Sequence, residues 1–123
     1  MASRPIVKYP IIVNGDMSAD IISKPSIITN LSLMSYDISW VGSSPVGVMS
    51  IQVSNTYAEN VDGTVQNAGS WTTVALSSPP SVSGNTGNGF IDVSQLGAYA
   101  VRIVYTSTSG TGMMNVVFNA KAE

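Results

Sequence analysis

Short stretches rich in Val and Ile, each closed by a cluster of Gly, Pro, Asn or Ser, recur along the chain. Inside several of them apolar and polar residues alternate one for one. A period of two places successive side chains on opposite faces of an extended strand. Regularly spaced turn signals between such stretches suit an all-β domain. No window carries a sustained apolar stripe at helical spacing.

Residues 6–13 form the first expected strand, closed by the turn dipeptide Asn14-Gly15. Two short strands at 19–23 and 27–29 follow, separated by Pro25, which belongs at an edge or a break. In 33–41 Tyr36, Ile38 and Trp40 share one face, and in 46–55 Met49, Ile51 and Val53 do the same. Gly42-Ser43-Ser44-Pro45 between them reads as a turn, so the two segments are expected to pair as a hairpin. A loop at 56–70, a strand at 71–76, a second loop at 77–89 and a strand at 90–93 come next. Strands at 99–106 and 113–120 flank a Gly/Ser turn at 107–112. The sum is an antiparallel β-sandwich of about eight strands, with jelly-roll or Greek-key wiring. A chain of 123 residues makes one domain, 1–123, with 1–5 read as an arm that orders only against a neighbour.

Composition narrows the function. The chain has no Cys and no His, which removes disulfides, thiolate ligands and the commonest general base and metal ligand. Charged residues make up 10% of it and the formal net charge is -2. A typical soluble domain carries about 25% charged residues, so this surface resists association less than most. Five scattered cations offer no patch for phosphates, which argues against nucleic acid as a partner. No run reaches the ~18 apolar residues of a membrane helix, and no secretory signal is visible, so a membrane is not expected and synthesis in a cytoplasm is.

The candidate chemistry is thin. Glu59 and Asp62 share a loop, as a glycosidase pair must share a cleft, but both sit among turn formers. Asn55, Glu59, Asn60 and Asp62 lack the spacing of an EF-hand calcium loop. The Gly-rich stretch 84–89 lacks the Lys and the following helix of a phosphate loop. Without His only a lysine could serve a serine nucleophile, and Lys8, Lys24 and Lys121 lie beside no serine motif, so no catalytic residue, metal or cofactor is expected and the chain reads as a binding or assembly protein. The alternative is a carbohydrate-binding β-sandwich module, with Tyr57 and Trp71 flanking the long loop as the glycan-contact rings.

Several strings carry a likeness: Asp37-Ile38-Ser39-Trp40-Val41-Gly42, Pro45-Val46-Gly47, Ser50-Ile51-Gln52-Val53-Ser54-Asn55 and Gly69-Ser70-Trp71-Thr72. With Ala100-Val101-Arg102-Ile103-Val104-Tyr105 and Gly112-Met113-Met114-Asn115-Val116, they resemble small β-sandwich structural proteins of tailed phages over about residues 35–120. The resemblance implies a virion component, a capsid decoration or auxiliary head protein or a tail-associated one. Such a protein is made in the host cytoplasm and works as a homo-oligomer bound to other virion proteins. The matched strings hold no catalytic residue to carry over. If the N-terminal arm takes part in assembly, Ile6 and Val7 are its expected apolar anchors.

Overall fold

The computed structural model describes residues 7–28, 33–74, 81–93 and 98–121. It is all-β, with no helix among the described residues. The strands are β1 (Val7–Asp16), β2 (Ile21–Ile22), β3 (Ser26–Ile27), β4 (Leu33–Ser54), β5 (Ala58–Glu59), β6 (Val65–Asn67), β7 (Thr72–Val74), β8 (Ser81–Val82), β9 (Thr86–Asp92) and β10 (Ala100–Lys121). Antiparallel pairing joins eight of them into one sheet, and β5 and β6 make a small second one.

The spine of the large sheet is a ribbon of two 22-residue strands, β4 and β10, paired from Leu33 opposite Lys121 to Ser54 opposite Ala100. The stretches 42–45 and 107–112, expected as turns, are therefore not chain reversals. The segments expected to form a hairpin are two halves of one strand, and both pair with β10. In β4 the inward side chains are Met34, Tyr36 and Ile38 before residue 44, and Met49 and Ile51 after it. In β10 they are Val101, Ile103 and Tyr105 first, then Met114, Val116 and Phe118. Each strand thus changes from one parity to the other partway along.

A single extra residue in each strand makes the change. Ser107 and Ser109 lie opposite the adjacent Gly47 and Val46, which inserts one residue into β10. Ser109 and Thr111 then lie opposite Val46 and Ser43, which inserts one into β4. The two bulges cancel in register, so Ile38 faces Val116 as Ile51 faces Ile103. They do not cancel in pleat, because one extra residue turns every later side chain to the other face. Ser44 and Gly110 carry the strain, with φ of 51° and 81°. A Cβ on Gly110 would collide with the Ser44 carbonyl oxygen, so this crossing point needs glycine for space as well as for its backbone angle.

The bulges divide the ribbon into a near half (33–43 with 111–121) and a far half (46–54 with 100–109). β1 and β9 flank the near half, pairing with β10 and β4 respectively. Among the described residues, only the short strands β2, β3, β7 and β8 flank the far half. Inward side chains of both halves join one apolar cluster, with Ile12 and Met17 added from the β1 end. Full burial of each large apolar side chain is worth about 1.5–3 kcal/mol. Asn14-Gly15 is likewise not a chain reversal: β1 runs on to Asp16, with Asn14 at φ 50° and its N–H donating to Asn115 Oδ1 at 2.9 Å.

Candidate functional site: the outer face of the near half

The residues expected to contact glycan come together, but not as a stacking platform. Tyr57 is 4% exposed. Its ring lies 5.7 Å from that of Trp71 at an angle of 50°, not coplanar with it. The Arg102 guanidinium sits 4.2 Å from the centre of the half-buried Trp71 ring, whose Nε1 donates to the Ala68 carbonyl at 2.8 Å. Tyr57 donates its hydroxyl to Glu59 at 2.5 Å, and burial followed by that carboxylate pushes its pKa up to about 12. These rings fasten the long loop to the far half. Of the two rings expected to contact sugar, Tyr57 is buried and Trp71 half-buried, and the two are tilted to one another, unlike a coplanar stacking platform.

The polar residues of the same loop hold its turn. Asp62 accepts from the Thr64 hydroxyl and backbone N–H, which lowers its pKa, and Asn60 Nδ2 donates to Thr64 Oγ1. Asn55 Oδ1 accepts from the Tyr99 N–H at 2.8 Å. Among the described residues no three acidic side chains gather as a metal site would need. The Gly-rich stretch, expected as loop, is mostly β9. Asn85 braces the bend by accepting from Gly42 N–H and Ser44 N–H, and the Trp40 ring lies against Gly87, where a Cβ would strike it. Of the two expected arm anchors, Ile6 lies outside the described residues. Val7 begins β1 and pairs with Ala120 of β10.

The outward side chains of the near half form a ladder across β9, β4 and β10. Thr86, Val41 and Met113 make one rung; Asn88, Ser39 and Asn115 the next; Phe90, Asp37 and Val117 the third. Asp37 is the ionisable group on these three rungs, and its Oδ2 accepts from Asn119 Nδ2 at 2.7 Å; Asp92, Ser35 and Asn119 make a fourth rung that adds a second carboxylate. Phe90 is 62% exposed, Val41 59% and Met113 55%. A shallow depression runs between the second and third rungs, lined by Ser39, Asn88, Asn115, Asp37, Phe90 and Val117. The arrangement offers apolar side chains and amides to a surface laid against it, and little charge to repel one.

The sequence carried a signal for this face. Trp40-Val41, Phe90-Ile91 and Met113-Met114 are apolar doublets within alternating strands. A strand cannot turn both members of a doublet inward. Trp40, Ile91 and Met114 pack with the core, and Val41, Phe90 and Met113 are left outside.

No protein-family model matches the chain, and no curated protein matches it. Among solved structures it is similar to the SPBc2 prophage-derived protein YomS, with 97% of this chain and 96% of that one aligned at 10% identity and a TM-score of 0.46.

Proposed function

We propose that this chain is a non-enzymatic structural protein of a tailed-phage virion, a capsid decoration or auxiliary head protein or a tail-associated one. It acts by assembling with copies of itself and with other virion proteins, and neither nucleic acid nor a membrane is its partner. The observation that carries the reading is the outward face of the near half, where Val41, Met113 and Phe90 stand exposed among amides and hydroxyls, with Asp37 at its middle and Asp92 and Lys8 toward its end. Exposed large apolar side chains gathered on one face of a domain suit a contact surface, here Val41 and Met113 on one rung and Phe90 two rungs away. Covering them stabilises by about 25 cal/mol per Å² of apolar area, less the cost of association. The sparse charge of the whole chain acts in the same direction.

Mass photometry on the intact chain over a wide concentration range tests the reading. The expected result is a discrete oligomer that gives way to smaller species on replacing Val41 and Met113 together by Lys, with the melting temperature kept. A wild-type chain that stays monomeric at the highest concentration would overturn it.

A further inference from the structure

We infer that two copies of this chain pair edge to edge through β9, antiparallel and centred on Gly89, so that the eight-stranded sheet continues from one copy into the other. The inference rests on the assembly reading above and adds which surface makes the contact.

Unpaired edges of a sheet invite another strand, and proteins blunt them with very short strands, bulges, prolines and lysines. The far half is edged by β2, β3 and β8 of two residues each and β7 of three, too short to act as templates. On one side of the near half β1 is ten residues long, but it carries Lys8, Pro10 and two breaks in register. On the other side β9 has none of these devices. It runs seven residues without Pro or Lys, and its register with β4 is unbroken from Asp92 opposite Ser35 to Thr86 opposite Val41. Among the described residues β9 pairs with β4 alone. In an antiparallel pair, alternate residues turn their backbone N–H and C=O away from the neighbour, so the second edge of β9 presents its own row of donors and acceptors.

The occupant follows from the same contrast. Pairing β9 with β1 of another copy would meet Pro10 and the bulges, so a head-to-tail filament is disfavoured. Pairing β9 with β9 uses the open edge twice and closes on a two-fold axis. Centring on Gly89, the middle residue, aligns the full strand. It sets Phe90 opposite the partner's Asn88 on the outer face. It also sends the two Asp92 carboxylates, the only charges in β9, to opposite ends of the ribbon, about 20 Å apart by strand rise. A seven-residue edge buries less than the ~1,200 Å² of a standard interface, so the pairing depends on concentration and on the neighbouring outer face.

Gly89 also supplies the test. A Cβ built there meets nothing within 4 Å, so the first atom of a side chain is accommodated in the folded chain. Gly89→Lys would place two like charges opposite each other on the axis, as would Gly89→Glu, while a mixture of the two variants would pair opposite charges. Sedimentation velocity on the full-length chain should show each variant dimerising at least about tenfold more weakly than wild type. An equimolar mixture should recover the dimer. Amide exchange on the wild type should slow with rising concentration at residues 86–92, a readout that does not depend on any variant folding. A Gly89→Lys chain that folds and associates as well as wild type, or a wild type that associates with no slowing at 86–92, overturns edge pairing and leaves assembly standing. A wild type that never associates overturns both.

Discussion

The near and far halves of the ribbon use the same two strands in the same register, yet they present themselves differently. The far half is finished off by side chains: Arg102 donates to Gln52 at 2.8 Å and lies over Trp71, which packs on Tyr57. Ile22 and Val48 remain exposed there, but the flanking strands at those points, β2 and β8, are two residues long. The near half has long flanking strands and an outer face covered by no described residue, with apolar side chains on show. On the proposed assembly reading, stability and contact are divided along one ribbon. Both halves contribute to the core, and one of them is left with a surface suited to other protein.

What keeps the two halves in one molecule is the paired bulge, so the strongest way to break the comparison is to fill it. Gly110→Val adds a Cβ against the Ser44 carbonyl oxygen and forces a β-branched residue to φ 81°. The expected loss is about 3 kcal/mol or more, read as a lowered urea midpoint. If the variant unfolds in a single transition, the halves are one cooperative unit. If it unfolds in two, each half holds its own core and the shared apolar cluster is incidental. A smaller effect sharpens the picture within the near half. Tyr36 is fully buried beside Phe118, burial raises its pKa well above the ordinary tyrosine value, and its hydroxyl has no partner among the described residues. Tyr36→Phe removes a polar group buried without a hydrogen bond, so stability should hold or rise by up to about 1 kcal/mol, measured by chemical unfolding. A loss of that size instead would mean that the hydroxyl has a partner.

Much of the fold was legible from alternation alone. The inward sets Tyr36, Ile38 and Trp40, then Met49, Ile51 and Val53, then Val101, Ile103 and Tyr105, then Met114, Val116 and Phe118 are where period two puts them. The joints were not legible. Gly42-Ser43-Ser44-Pro45 and the Gly/Ser run at 107–112 have the composition of turns, and a bulge draws on the same residues because it needs the same positive φ and close backbone approach. A change of parity marks both a reversal and a bulge, and only the partner strand, some 60 residues away, decides between them. The candidate site divides likewise. Tyr57 is buried and Trp71 half-buried, and no local pattern around them signals it, whereas the doublets at 40–41, 90–91 and 113–114 held enough to place an apolar face outside.

The central claim is that contact between copies falls on the near half. Hydrogen–deuterium exchange on the intact chain, compared between dilute and concentrated solution, tests it most directly. The account predicts that slowing on concentration is confined to β9 and the β4 and β10 segments beside it, around Val41 and Met113, with the 55–70 loop unchanged. Slowing centred on the 55–70 loop and β7, with β9 exchanging as before, would contradict it.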